Sequence, residues 1–374
     1  MVPIDKTQKQ ELIVRILHVI TSLRTGGAEK LMVDLLPRLR DAGHDVELLV
    51  FDGYETDFKQ QLEQENVKIH DLGIGGSVYS LKRLFRLRKY LTGYDIVHTH
   101  NYAPQIFTAI RSLGLRKRTR FITTEHGGSN RRRNKKWFSL IDRWMYNRYD
   151  SVICISEKAQ KNLEYFIKRS RAKILTINNG IDVKKYSSAS PSTELENIAP
   201  DSRKIIMVAG FRWEKDQPTL IKTMELLPET FHLFLVGDGV RRDDYEQLIA
   251  GKGLTNRIHL LGIRNDVPQL LQASDYVVMS SHFEGLSLSS VEGMSVGKPF
   301  IASDVDGLRE VVSGAGILFQ HEDSKALAEE IIKLDKDTAL YDSVATKCYK
   351  RAAGFDISKM AEGYINEYKR LMER

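Results

Sequence analysis

The sequence predicts two α/β units in succession, each built on a mostly parallel sheet covered by helices. Three observations predict it. The chain has 374 residues, more than a single core usually fills. Short apolar runs alternate with amphipathic segments along nearly its whole length, the pattern of repeated βα units. One polar break at 183–201, with Ser187, Ser188, Ser190, Pro191 and Ser192, splits the alternation into two series and reads as a linker.

In the first series, residues 13–20 read as a strand and 28–42 as a helix, with Leu31, Leu35 and Leu39 at helical spacing and Gly43 at the stop. Further strands are read at 46–51, 95–98, 121–124, 151–155 and 174–177, with a helix at 103–112. The second series places strands at 204–209, 232–236, 258–261, 276–279 and 299–302. Helices at 219–227, 243–252, 267–273 and 289–296 separate them. Residues 324–374 are mainly helical.

Composition narrows the classes. Hydrophobic content of 42% and charged content of 28% are those of an ordinary soluble globular chain. No segment has the apolar length that a membrane span needs. The run 12–20 is short, is broken by Arg15 and lacks a small-residue cleavage site, so it reads as the first strand. Cys154 and Cys348 have no metal or redox spacing, which points to a reducing compartment. A cytoplasmic protein is expected. The net charge of +7 is unevenly spread. The stretch 111–136, from Arg111 to Lys136, holds ten Lys or Arg against one acid, Glu125. Such a patch suits phospholipid, a lipid diphosphate or nucleic acid, and equally a plain solvated face. No nucleic-acid recognition motif accompanies it.

Ligands of open α/β sheets sit beyond the carboxyl ends of the strands, so the residues after each strand are the candidates. Gly26-Gly27-Ala28-Glu29 follows the first strand. Two glycines let the backbone approach a ligand, and a helix start offers free N–H groups to an anion. The run is not G-x-G-x-x-G and would also serve as a plain turn. Arg212 and Lys215 lie in Phe211-Arg212-Trp213-Glu214-Lys215, after the first strand of the second series. Both can reach a diphosphate, where cations stabilise charge that develops as a nucleoside diphosphate departs; both are also what an exposed surface carries. The strongest pattern runs through Glu284, Gly285, Leu286, Ser287, Leu288 and Ser289 to Glu292, Gly293 and Met294. A helix opening within it would aim amides at the same anion. Glu292, about two turns in, would accept both hydroxyls of a ribose, and Glu284 would stand nearer the sugar. Glu125-His126-Gly127-Gly128 follows another strand, and its His can line a cleft or simply be structural. His98 and His100 are a weaker case of the same kind. No His, Cys and acid set has metal-ligand spacing, so no structural metal is expected.

In this order, and over nearly the whole chain, these segments resemble the retaining GT-B glycosyltransferases of family 4, the group 1 glycosyl transferases. The resemblance rests on the Gly26-Gly27-Ala28-Glu29 loop, the segment from Arg212 to Lys215, Val236-Gly237-Asp238-Gly239, and Glu284 with Glu292 as E-x7-E. It continues through Glu292-Gly293-Met294-Ser295-Val296-Gly297-Lys298-Pro299 as the family's E-G/A-M-x-x-G-x-P run. One departure is Gly210-Phe211-Arg212, where many members have Gly-Arg-Leu.

The resemblance implies two Rossmann-like domains with parallel sheets facing a central cleft. The acceptor-side domain would span 1–184, with a last helix, 357–374, packing back on it. The donor-binding domain would span 185–356. By analogy Glu292 binds the donor ribose, Glu284 holds hydroxyls of the transferred sugar, and Arg212 and Lys215 neutralise the diphosphate. Gly26 and Gly27 close over the phosphates, and His126 stands near the sugar. Backbone around Ile263 and Arg264 meets the base, and Gly285, Leu286, Ser287 and Leu288 complete the donor site. The implied activity is retaining transfer from a nucleotide diphosphate sugar, with a UDP-sugar favoured and GDP-mannose the second candidate. The acceptor would be a hydroxyl of a saccharide or lipid-linked saccharide, in cell-surface polysaccharide assembly. No cofactor or metal is expected. Peripheral contact with the inner membrane face through the 111–136 region is one reading of that patch. Two alternatives share the fold: a nucleotide-sugar 2-epimerase, and a non-catalytic nucleotide-sugar-binding protein.

Overall fold

The computed structural model describes residues 13–24, 26–113, 115, 119–126, 136–168, 170–285 and 287–373. The chain divides into two compact units, Met1–Asn179 with Ile357–Arg374, and Gly180–Asp356. The sequence reading puts the junction after 184; the structure puts it after Asn179.

The first unit carries seven strands: β1 (Arg15–Ile20), β2 (Asp45–Val50), β3 (Lys68–Asp71), β4 (Ile96–His100), β5 (Arg120–Glu125), β6 (Ser151–Cys154) and β7 (Lys173–Thr176). Their order is β3-β2-β1-β4-β5-β6-β7, and all neighbours pair parallel. Both faces of such a sheet are covered, so its central strands are buried on both sides. In β1, Ile16 and Ile20 join a core with Leu31, Leu35 and Leu39 of the helix Gly27–Asp41 and with Tyr364 and Tyr368 of the helix Ile357–Met372. Leu17 and Val19 face the opposite core, with Phe107, Phe121 and Tyr149. The last helix is also pinned by Glu367, which pairs with Lys173 at 3.1 Å and accepts from Ser151.

The second unit carries β8 (Arg203–Val208), β9 (Phe231–Val236), β10 (Ile258–Gly262), β11 (Tyr276–Met279), β12 (Phe300–Ser303) and β13 (Ile317–Phe319), ordered β10-β9-β8-β11-β12-β13 and again parallel. Its core gathers Ile205, Met207, Leu233, Leu235, Val278 and Ile301.

Residues 183–201 are not a linker. They form the short helices Val183–Ser187 and Glu194–Ile198, and Val183, Tyr186 and Leu195 are buried in the second core. Gln272 donates to the carbonyls of Tyr186 and Ser187 at 2.8 and 3.2 Å, which fastens the first helix down. Three apolar anchors outweigh the polar average that suggested a tether.

Strand order reverses direction between β1 and β4 in the first unit and between β8 and β11 in the second. Crevices beyond the carboxyl ends of strands at such switch points are where α/β sheets bind ligands. No helix among the described residues is long and apolar enough to cross a membrane.

Candidate active site

In the second unit the two loops leaving β8 and β11 are stitched together. Ser280 donates through Oγ to the carbonyl of Asp216 at 2.7 Å, and the His282 amide donates to the Glu214 carbonyl at 2.9 Å. This brings Lys215 onto Glu284, Nζ to Oε1, at 2.5 Å. Ser281 donates to the same oxygen at 2.8 Å. The Lys215 and Glu284 side chains are 24% and 10% exposed, so the pair is mostly withdrawn from water yet reachable. Arg212 is exposed and makes no ion pair among the described residues. Trp213 and Phe283, both more than half exposed, lie beside it with ring centroids 6.3 Å apart.

Two glycines explain why these loops can lie so close. A Cβ on Gly239 would fall 2.4 Å from the Phe211 carbonyl oxygen, so the Val236-Gly237-Asp238-Gly239 run lets the loop after β9 rest on the loop bearing Arg212. Gly307 has a φ of +89°, and a Cβ there would fall 2.2 Å from the Glu284 carbonyl oxygen. It forms the floor under Glu284, whose amide donates to the Asp306 carbonyl at 3.1 Å.

The helix after Glu284 spans Leu288–Ser295, with Ser287 as its cap accepting from the Ser290 amide at 3.3 Å. It begins one residue before the 289 read from the sequence, and Glu292 lies little more than one turn in, where two turns were expected, and is buried. Gly285 is exposed. Leu286 lies outside the described residues. Arg264 is committed: its guanidinium meets Glu194 at 2.5 Å and Asp266 at 2.8 Å, and both partners hold it well above its ordinary pKa. That leaves the backbone beside it, next to the exposed Ile263, as the part able to meet a ligand.

In the first unit, Gly26 precedes the helix that starts at Gly27, and Glu29 in its first turn accepts from Asn101 Nδ2 at 3.3 Å. Burial raises the Glu29 pKa. His126 follows β5, and Glu125 beside it accepts from the Tyr146 hydroxyl. Gly127, Gly128 and the arginines 131–133 lie outside the described residues.

The sequence reading did not foresee what surrounds His126. His18, His98 and His100 are fully buried within β1 and β4, with His98 and His100 centroids 4.6 Å apart and His100 and His126 5.2 Å apart. Nor did it foresee Asp216, His282 and His321, which draw together from three loops of the second unit. Sequence spacing cannot reveal ligand sets assembled across strands. In the first set every ring nitrogen is taken by a hydrogen bond. The second offers two imidazoles and a carboxylate, a donor set that suits zinc or a similar divalent ion.

Burial without a charged partner keeps His18, His98, His100 and His126 neutral. It holds His18 at about 3 and His126 at about 4. His98 and His100 fall well below the usual value through burial first, and then through neighbouring imidazoles, His18 and His126 for His98, and His98, His126 and His18 for His100. In the unfolded chain they protonate near pH 6.5. Protons therefore favour the unfolded state, and the stability these residues provide is whole above about pH 6.5 and drains as pH falls toward the folded values, by about 1.4 kcal/mol per pH unit per histidine. A melting series should fall steeply once pH drops below about 6.5; a level profile down to about pH 5 would contradict neutral burial.

Comparison with known proteins gives the same picture over both units. Residues 25–185 match the family described as Glycosyltransferase Family 4, and residues 192–352 match Glycosyl transferases group 1. The chain is 27% identical over 315 residues, 76% of its length and 77% of the relative's, to UDP-Gal:alpha-D-GlcNAc-diphosphoundecaprenol alpha-1,3-galactosyltransferase of Escherichia coli. It is 25% identical over 394 aligned residues, 95% of this chain and 96% of the relative, to GDP-mannose:cellobiosyl-diphosphopolyprenol alpha-mannosyltransferase of Xanthomonas campestris. Among solved structures, Anabaena HepE in complex with UDP-glucose superposes with a TM-score of 0.80 at 25% identity, covering 95% of this chain and 98% of that one. With both units matched and the two parallel sheets in place, the chain belongs to the GT-B glycosyltransferases of family 4.

Proposed function

We propose that this glycosyltransferase moves a hexosyl group from a UDP-sugar, with GDP-mannose the second candidate, to a hydroxyl of a lipid-linked or free saccharide, with retention of configuration. One observation carries the reading: Lys215 and Glu284 meet at the switch point of the second sheet, with Arg212 free beside them and a capped helix start following. In this reading Lys215 and Arg212 bind the diphosphate, and the amides at Ser287 and Leu288 add the positive end of the helix. Glu284 releases Lys215 to the phosphate and accepts hydrogen bonds from sugar hydroxyls. Glu292 takes the ribose. Arg264 meets the base through its backbone, and Gly26, Gly27 and His126 are the first unit's own candidate ligand contacts.

The leaving diphosphate gains charge as the anomeric C–O bond breaks. Its oxygen accepts the proton of the acceptor hydroxyl on the same face, so the new bond keeps the old configuration and no separate protein base is needed. Cations already placed for that charge do what a divalent ion does elsewhere, so the transfer step needs no metal. The nucleotide and acceptor follow relatives that use UDP-Gal or GDP-mannose with polyprenyl-diphosphate saccharides, and the HepE complex with UDP-glucose. The test is product analysis with UDP-hexoses and a polyprenyl-diphosphate saccharide, in EDTA. An anomeric proton coupling that reports the donor's configuration supports the reading. An inverted product, or turnover lost in EDTA and regained with a divalent ion, sinks the part concerned.

A lipid-linked acceptor would bring the enzyme to an anionic membrane at the inner face. Half of the 111–136 region lies outside the described residues, but Arg111 packs over Phe85, 5.4 Å from its ring centroid. Phe85 and Leu81 are two-thirds exposed on the helix Leu81–Leu87, among exposed Lys82, Arg86, Arg88 and Lys89. Apolar side chains ringed by cations suit an anionic bilayer surface. The double variant Leu81→Glu with Phe85→Glu should cut binding to phosphatidylglycerol vesicles about tenfold or more, with donor binding unchanged. Equal vesicle binding would exclude this surface.

A further inference from the structure

A single line of hydrogen bonds runs through the first unit from the last helix to His126. The Tyr364 hydroxyl lies 3.0 Å from Thr124 Oγ1, which lies 2.8 Å from His98 Nε2. His98 Nδ1 is 2.7 Å from the Tyr368 hydroxyl, and that hydroxyl is 3.4 Å from His18 Nε2. His18 Nδ1 is 3.0 Å from His100 Nε2, and His100 Nδ1 is 3.0 Å from His126 Nε2. The strand register makes the line. His18 pairs with His98 across β1 and β4, and His100 with Thr124 across β4 and β5, so all four share the face that the last helix covers.

Each imidazole is neutral, so it has one N–H and one lone pair. His98, His18 and His100 place both nitrogens in the line, and therefore each passes the donor sense on unchanged. Two polarities keep one sense throughout; a hydroxyl can also accept from both sides, but each such mixed arrangement leaves one hydroxyl proton of the line unmet, as the second polarity does. In one, Tyr364 donates to Thr124, Thr124 to His98, His98 to Tyr368, Tyr368 to His18, His18 to His100, and His100 to His126 Nε2. The proton of His126 is then on Nδ1. In the other, every bond is reversed and His126 carries its proton on Nε2. The phenolic proton of Tyr364, 0% exposed, then meets no acceptor among the described residues. A buried hydroxyl left unmet is costly, whereas Nδ1–H of the partly exposed His126 can meet water, so the first polarity is favoured by about tenfold or more.

We propose that Tyr364, Thr124, His98, Tyr368, His18 and His100 are positioning residues that fix His126 as the Nδ1–H tautomer. His126 is then a hydrogen-bond donor, suited to a hydroxyl or phosphate oxygen of the donor, and not a base. The link to the sugar rests on the proposed function; the tautomer does not.

The experiment is a long-range ¹H–¹⁵N correlation spectrum of the full chain with ¹⁵N-histidine, without nucleotide sugar, at neutral pH. His126 is assigned by its loss in His126→Gln. The expected result is protonated Nδ1 and unprotonated Nε2 on His126. Tyr368→Phe, which cuts the line two residues away from His126 and keeps the ring, should shift His126 toward a tautomer mixture. Thr124→Val tests the far end with little change of shape, should Tyr368→Phe fold poorly. A proton on Nε2 in the wild type overturns the polarity, and an unmoved tautomer in both variants overturns the coupling. Because no nucleotide sugar is present, either failure leaves the transferase reading intact, and failure of that reading leaves the spectrum as it is.

Discussion

Lys215→Ala is expected to lower kcat by about 10²–10³-fold, the usual loss when one donor to developing charge is removed. Two effects add. The leaving diphosphate loses a cation that the loops after β8 and β11 hold in place, and Glu284 loses its partner at 2.5 Å while staying only 10% exposed. A mostly buried carboxylate left with Ser281 alone is poorly compensated and will shift its position. The KM for donor should rise less than kcat falls, because the charge to be met is greatest at the transition state. Lys215→Arg should not restore the rate, since a planar guanidinium does not fill the place of an ammonium gripped by Glu284. Arg212→Ala should cost less, its side chain being exposed and without an ion pair among the described residues. Steady-state kinetics of the three variants checks this. A kcat for Lys215→Ala within about threefold of wild type would remove Lys215 from the chemistry.

Gly307→Ala should be nearly as harmful although the residue carries no functional group. The added Cβ would stand 2.2 Å from the Glu284 oxygen and 2.3 Å from the Gly285 oxygen, both main-chain atoms, at a φ of +89°. Nothing flexible is there to yield, so the Glu284 loop must move. The bond from the Glu284 amide to the Asp306 carbonyl moves with it. Displacement of a reacting group by about 1 Å commonly costs about 10²-fold in rate. The strain itself should cost about 1–3 kcal/mol of stability. Kinetics and a melting curve read the two separately. A variant with normal kcat would mean the loop can shift without consequence.

Much of this was legible in the sequence because it is local. The βα alternation gives every strand of both sheets except β3 and β13. β3 reads Lys-Ile-His-Asp at a half-exposed edge, and β13 has three residues, too short to show a period. The glutamates, the cations and the glycine loops were readable because each lies just after a strand, where the fold puts ligands. Their mutual contacts were not. That Lys215 grips Glu284, 69 residues away along the chain, depends on β8 lying beside β11. His98 and His100 drew notice as a pair, while His18 drew none, since only sheet register sets it opposite His98. The segment 183–201 misled because polar composition hid three buried anchors.

The most direct test of the central claim is a thermal-shift series with UDP, GDP, ADP and their sugars on the wild type and on Glu292→Ala. A ligand that binds only the folded protein stabilises it by about 2.7 kcal/mol at one hundred times its Kd. The account expects one nucleotide family, UDP first, to raise the Tm of the wild type, and Glu292→Ala to abolish that rise while melting alone as a folded protein. No shift with any nucleotide, or a shift that survives Glu292→Ala unchanged, would contradict it.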